Sequence, residues 1–86
     1  MRDGFGKYRE EKGGKLFEYI GYWKNDLKEG YGKCFYYSED FYAGEWKNDK
    51  RDGKMGDMFY KRGDRYRGAW KKDYKHGKGT LYYQNG

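Results

Sequence analysis

Few side chains in this sequence have the chemistry for catalysis. It holds one histidine, His76, and one cysteine, Cys34, far apart in the chain, with no second Cys or His to complete a zinc site or a disulfide. His76 falls in a hairpin link and reads as a structural or solvent-facing residue. Cys34 falls at an inward strand position and reads as a small core residue. Asp26, Asp49 and Asp73 recur at turns, where carboxylates accept backbone hydrogen bonds, and read as turn formers in place of metal ligands. An enzyme needs polar groups converging in a pocket. None is apparent, so the expectation is a protein without catalytic activity, cofactor, metal or small-molecule substrate.

The side chains that could recognise something are cations and aromatic rings. Residues 61–86 carry eight basic side chains against Asp64 and Asp73, so the whole net charge of +6 sits there. Arg65, Arg67, Lys71 and Lys78 point outward by strand parity, and Lys72 and Lys75 crowd the turn between them. Such a cluster keeps a surface soluble. It also suits an acidic protein, or acidic phospholipid at about 1 kcal/mol per basic residue near the surface. Nucleic acid is not expected, because stacking needs exposed rings and parity leaves only Phe35, Phe59 and Tyr82 outward. The aromatic candidates are Tyr19, Trp23, Tyr42, Trp46, Tyr66 and Trp70, taken as a face for a protein partner.

Composition alone would deny these residues a scaffold. The chain has 86 residues, room for one domain. Only nine are Leu, Ile, Val or Phe and 40% are charged, a balance typical of disorder. Twenty residues are aromatic, however, and each Tyr or Trp can bury roughly 150–250 Å². No apolar run approaches the roughly 20 residues of a membrane span. Met1 is not followed by a signal-peptide segment, which points to the cytoplasm.

The aromatics are periodic. Trp23, Trp46 and Trp70 lie 23 and 24 residues apart. Each is preceded by Gly at minus two (Gly21, Gly44, Gly68) and by Tyr at minus four (Tyr19, Tyr42, Tyr66). Each is followed by Asp at plus three and by Gly at plus seven (Gly30, Gly53, Gly77). The unit is Tyr-x-Gly-x-Trp-Lys-[Asn/Lys]-Asp-x-[Lys/Arg]-x-Gly. A partial unit opens the chain, since Gly4-Phe5-Gly6-Lys7-Tyr8 matches Gly77-Lys78-Gly79-Thr80-Leu81. One domain over 1–86 follows, with the partial unit over 1–15 and full units over 16–40, 41–64 and 65–86, open to being a segment of a longer array.

Each unit reads as a β-hairpin. Tyr, Gly and Trp two apart share one strand face, and the Lys-Asn-Asp or Lys-Lys-Asp that follows supplies turn chemistry. The returning strand puts Gly30, Gly32, Cys34 and Tyr36 on the same face, then Gly56, Met58 and Tyr60, then Gly77, Gly79, Leu81 and Tyr83. Glycine weakens a strand, but here a bare backbone lets a ring from a neighbouring strand lie over it. Met55 is an extra residue between Gly53 and Gly56 and is expected to form a β-bulge. The first link, Glu10 to Lys15, is longer than its counterparts and is expected to be a mobile loop. About seven strands in a single antiparallel meander leave open edges near Phe5–Arg9 and Lys78–Tyr83.

These residues resemble the MORN repeat (membrane occupation and recognition nexus). Its pattern is close to Tyr-x-Gly-x-Trp-x-Asn-Gly-x-x-x-Gly-x-Gly-x-x-x-Tyr. Tyr42-Ala43-Gly44-Glu45-Trp46-Lys47-Asn48-Asp49 and Lys75-His76-Gly77-Lys78-Gly79-Thr80-Leu81-Tyr82 are the nearest matches. Asp26, Asp49 and Asp73 stand where the family usually has Gly, which leaves the turn geometry open. The resemblance implies an elongated all-β sheet of successive hairpins without catalytic activity. It implies an interaction scaffold in cilia, cortical cytoskeleton or membrane junctions, or beside an enzyme domain.

The functional expectation is therefore a non-catalytic scaffold or adaptor gripping a helix or peptide on the Tyr/Trp/Gly face, in a cytoskeletal, ciliary or other large assembly. The alternatives are peripheral membrane recruitment by anionic phospholipid through the basic hairpin, and a regulatory module appended to an enzyme.

Overall fold

The computed structural model describes residues 2–84. Period-two alternation produces seven strands: β1 (Gly4–Lys12), β2 (Lys15–Lys24), β3 (Leu27–Phe35), β4 (Phe41–Lys47), β5 (Lys50–Phe59), β6 (Arg65–Lys71) and β7 (Tyr74–Tyr82). They form one antiparallel sheet in the order β1-β2-β3-β4-β5-β6-β7. The sheet is an open meander with β1 and β7 at its edges, a slab of 43 × 33 × 16 Å. Among the described residues no helix is long and apolar enough to cross a membrane.

Register follows the repeat. Across the β2–β3 pair, Tyr19 faces Cys34 and Gly21 faces Gly32. The same pairing recurs as Tyr42 with Met58 and Gly44 with Gly56, then as Tyr66 with Leu81 and Gly68 with Gly79. The buried core is a single row on one face: Tyr19, Trp23, Cys34, Tyr42, Trp46, Met58, Tyr66 and Trp70. Tyr8, Phe17, Tyr36 and Tyr60 pack against it, partly buried.

The glycine pairs are where the row is built. A Cβ placed on Gly32 would overlap the ring and hydroxyl of Tyr19, and one on Gly79 would overlap those of Tyr66. At Gly56 the Tyr42 ring and hydroxyl occupy the same space. Each tyrosine therefore lies across the bare backbone of the following strand, and two glycines facing each other let the Cα atoms approach. Gly6 differs: its added Cβ would sit 3.4 Å from Trp23 Nε1, with nothing closer.

The turns alternate in kind. Asn25-Asp26, Asn48-Asp49 and Lys72-Asp73 all carry positive φ at both residues, between 48° and 75°, as a two-residue type I′ hairpin turn requires. Asp at the glycine position thus leaves the turn type intact. At the other edge the β3–β4 and β5–β6 connections are longer links, in which Tyr36 N–H donates to Asp40 O and Tyr60 N–H donates to Asp64 O.

Three expectations meet different outcomes. The bulge at Met55 is present, as a register shift between Gly53 and Gly56 against β6. Related shifts recur in every full unit, between Gly21 and Trp23, Gly44 and Trp46, and Gly68 and Trp70. The first link is not a mobile loop. Lys12 pairs with Lys15 around Gly13-Gly14, whose φ values of 55° and 78° make the same tight turn, and the extra residues lengthen β1 and β2. Leu81 shares the inward face of Cys34 and Met58 but is 42% exposed, because no described strand covers β7.

Replacing strand Gly by Ala ordinarily gains about 0.5–1 kcal/mol, whereas overpacking costs about 1–3 kcal/mol. Overpacking should therefore win at the tyrosine-covered sites. Gly32→Ala and Gly56→Ala should each lower the free energy of unfolding in urea by at least 1 kcal/mol, while Gly6→Ala should be neutral or slightly stabilising. Equal losses at all three positions would contradict the packing.

Candidate functional site

The face carrying the core row is the one feature repeated in every unit, and its geometry is built by three interlocking contacts. The tyrosine hydroxyl donates to the carbonyl three residues on, Tyr19 to Tyr22 O and Tyr42 to Glu45 O at 2.9 Å and Tyr66 to Ala69 O at 3.2 Å. The tryptophan Nε1–H donates to a glycine carbonyl of the preceding unit, Trp23 to Gly6 at 3.2 Å, Trp46 to Gly32 and Trp70 to Gly56 at 3.1 Å. The rings then meet edge to face. Tyr19 touches both Trp23 and Trp46, Tyr42 touches both Trp46 and Trp70, and Tyr66 touches Trp70, with centroids 4.9–5.4 Å apart and planes at 81–89°. That arrangement places ring edges on π faces and adds about 0.5–1.5 kcal/mol per pair beyond burial.

A further contact locks one unit to the next and is made by the turn aspartates. Asp49 N–H donates to Lys28 O and its carboxylate accepts from Lys28 N–H. Asp73 does the same with Arg51, and Asp26 with Arg2. The side chains of these partners then lie over the rings. Lys28 Nζ is within 6 Å of the Phe17, Tyr19, Trp23 and Trp46 centroids. Arg51 covers Tyr36, Tyr42 and Trp70. Arg2 covers Tyr8 and Trp23, and Lys75 covers Tyr60, Tyr66 and Trp70. A ladder of four cations thus runs along the aromatic face, with Lys28 and Arg51 also ion-paired to Asp49 and Asp73 at 3.7 and 3.3 Å. Lys28, Arg51 and Lys75 stand at the [Lys/Arg] five residues after each Trp of the repeat, and that constancy is the signal in the sequence; Arg2, ahead of the first Trp, has no such signal.

Tyr19, Trp23, Tyr42, Trp46, Tyr66 and Trp70 are brought together as a single row, but not as an open groove. They are only 0–8% exposed, because each ring is roofed by its neighbours and by a cation. What reaches the surface of this face is the cation ladder, the partly buried Tyr8, Phe17, Tyr36 and Tyr60, and Leu81 on β7.

The basic cluster is divided among four places. Lys75 lies on the aromatic face, because it stands at the ladder position and does not simply crowd the turn. Arg65 and Arg67 point to the opposite face, where both pair with Asp57. Lys71 and Lys72 are exposed at the two-residue-turn edge, where they share a depression of about 560 Å³ with Lys47 and Lys50. Lys78 is exposed on β7. The opposite face also carries an aromatic run unread in the sequence as a group: Phe35 against Phe41, Phe41 against Phe59, then Arg65 over Phe59 and Tyr82.

Cys34 is fully buried, and burial pushes its thiol up to about 11. Burial likewise raises the Tyr19, Tyr36 and Tyr42 hydroxyls well above their ordinary value. Asp64 is held below the carboxylate range mainly by the backbone N–H of Gln84, with Arg62 assisting. His76 is exposed.

A row of tyrosine–glycine–tryptophan hairpins, each locked to the next by the same contacts, defines a β-hairpin repeat protein. The chain belongs to the MORN repeat family, whose model matches residues 19–41, 42–54 and 66–86, more than half of its length. The second match stops at Lys54, beside the extra residue Met55. No curated protein matches the chain significantly.

A thiol or phenol whose folded pKa is raised stays protonated after its unfolded counterpart ionises, so its contribution to stability is lost on the alkaline side. For Cys34 that contribution is present in full below pH 9 and is lost as the pH rises toward about 11; the buried tyrosines extend the loss above pH 10. The urea midpoint should therefore fall from pH 9 to 11, and by a smaller amount in Cys34→Ala. A wild-type midpoint that is flat over this range would contradict the assignment.

Proposed function

We propose that this protein is a non-catalytic scaffold or adaptor module of the cytoplasm. It holds a protein partner on its Tyr/Trp/Gly face, within a cytoskeletal, ciliary or other large assembly. The observation that carries this reading is the aromatic face itself: no second layer of the described residues packs on it, and its surface alternates rings with cations at the repeat spacing. The six buried Tyr and Trp side chains act as a rigid floor. Phe17, Tyr36, Tyr60, Lys28 and Arg51 are the groups a helix or peptide would touch. Rings and cations held in fixed rotamers lose little freedom on binding, and partly exposed aromatic and Arg side chains are the usual anchors of interfaces. Membership in the MORN family supports an interaction role.

The partner is to be captured from native extract and its affinity for the purified chain then measured. Lys28→Glu and Tyr60→Ser should weaken binding at least tenfold while the sheet stays folded by circular dichroism. Arg67→Glu, on the opposite face, should leave binding unchanged. Trp46→Ala should unfold the sheet, since losing a buried Trp costs about 3–5 kcal/mol. Loss with Arg67→Glu and retention with the other two folded variants would refute the face assignment.

Acidic phospholipid is a second reading, favoured by the gathering of Lys47, Lys50, Lys71 and Lys72 at one edge. It is these lysines, and not the Asp57-paired arginines, that are free to meet a charged surface. Vesicles containing phosphatidylserine should co-sediment the protein at low salt and release it as ionic strength rises. The variant Lys47→Glu/Lys71→Glu/Lys72→Glu should not sediment; if it does, this reading fails.

A further inference from the structure

The face opposite the core row carries a pattern that the repeat does not set. From β2 to β6 one row runs Glu18, Phe35, Phe41, Phe59 and Arg65 in register. The row beside it runs Ile20, Lys33, Ala43, Asp57 and Arg67. Glu18, Phe41 and Arg65 each stand five residues before a Trp, so one place in successive units is acidic, then apolar, then basic. Lys33 and Asp57 also change sign across β4. The charges are therefore opposite in sign at equal distances either side of an apolar centre on β4. Phe35 and Phe59 are 39% and 36% exposed, and exposed apolar groups in one contiguous patch mark an interaction surface. We infer that two copies of this chain pack together by this face, about a twofold axis lying between them along β4.

Such an axis lays β3 over β5 of the other copy, β2 over its β6, and each row over itself. Phe41 then meets Phe41, Phe35 meets Phe59, Glu18 meets Arg65 and Lys33 meets Asp57. An isologous interface requires this self-complementarity, residue i on j and j on i. A surface for an unrelated partner has no reason to carry it. Phe35, Phe41 and Phe59 form a continuous strip, with centroids 4.6 and 5.6 Å apart and planes tilted by 30–32°. Glu18 and Arg65 are already steadied by Lys7 and Asp57 at 3.9 and 3.1 Å. Lys33 is exposed and has no carboxylate within ion-pair distance among the described residues, and the second copy supplies Asp57. Aligned sheets pack about 10 Å apart with strands crossing at about 30°, so the rows nearest Phe41 stay in register. Further along β4, Glu45 is turned onto its own β5, where it accepts from Lys54 N–H at 3.0 Å. The crossing angle carries it away from its copy. The slab's broad side measures 43 × 33 Å, room for the roughly 800 Å² per partner of a stable interface. Both aromatic faces, with their cations, remain outermost.

This goes beyond the proposed function, which uses the aromatic face, so either can fail alone. Sedimentation equilibrium of the full chain should show a monomer–dimer equilibrium. Glu18→Arg and Arg65→Glu each set like charges against each other twice. Each should weaken the dimer at least tenfold, once shown to be folded by circular dichroism. An equimolar mixture of the two variants should restore it, because each altered position then meets its opposite. Within one chain Glu18 and Arg65 stand four strands apart, roughly 19 Å, so this rescue can arise only between copies. Ala43→Arg sets a cation against its own copy without deleting a ring or an ion pair, and should leave a monomer. It decides the matter if a charge-reversed chain fails to fold. The proposal is overturned if the unaltered chain stays monomeric up to its solubility limit, or if Ala43→Arg dimerises undiminished. It is equally overturned if the mixture of folded variants associates no better than either alone.

Discussion

A tyrosine ring lying across facing glycines is the contact on which the rest of this structure depends. A chain with so few aliphatic residues has no conventional second layer to close over its sheet. The glycines remove the side chains that would hold a ring away, and the ring replaces them with its own area. Once Tyr19, Tyr42 and Tyr66 lie flat along the sheet, their hydroxyls are carried to the carbonyls of Tyr22, Glu45 and Ala69, and no buried side-chain polar atom among the described residues lacks a partner. The tryptophans can then stand edge-on between successive tyrosines. Removing the Tyr–Gly contact would leave each Trp without the surface it packs on.

The units hold together by one chemistry more than the one that holds each unit flat. Within a hairpin the bond is aromatic; between hairpins the contacts of Tyr19 with Trp46 and of Tyr42 with Trp70 are joined by a turn carboxylate and a cation. Asp at the second turn position serves both. It takes the positive φ that Gly would take elsewhere, at some conformational cost, and its carboxylate reaches the backbone of the preceding unit. A glycine there would relax the turn and lose the lock. The aspartates at 26, 49 and 73 therefore belong to the array as much as to the turn, and they hold the cation ladder in register with the rings.

Much of this was legible in the residues. Tyr, Gly and Trp two apart fixed the strands, the inward face and the meander, because period two has one structural meaning. What escaped was whatever depends on a side chain's length and not its parity. Lys28, Arg51 and Lys75 appear in the repeat as an unremarked basic position, yet a long stem lets each fold back over rings. Lys75 was grouped with the surface cations for the same reason. The six Tyr and Trp residues were read as an open face because a single sheet has no opposing layer, but edge-to-face rings and overlying cations bury them laterally. Gly13-Gly14 shows the converse: a longer link became longer strands, since Lys12 and Lys15 could pair around the same two-residue turn as every other unit.

Because each hairpin unit packs on the units beside it in sequence, stability here is a sum over adjacent units, and the contacts that join two units are complete only when both are present. A unit in the middle satisfies its tyrosine with two tryptophans and its ladder cation with an aspartate; a unit at an edge offers the same groups half used. The recognition chemistry of such a protein is therefore not separate from its folding chemistry. The aromatic face presents rings and cations that folding has already immobilised. The geometry of this face is inherited from spacing, so a change in the period, such as the extra residue at Met55, alters what the face presents as directly as a change of side chain.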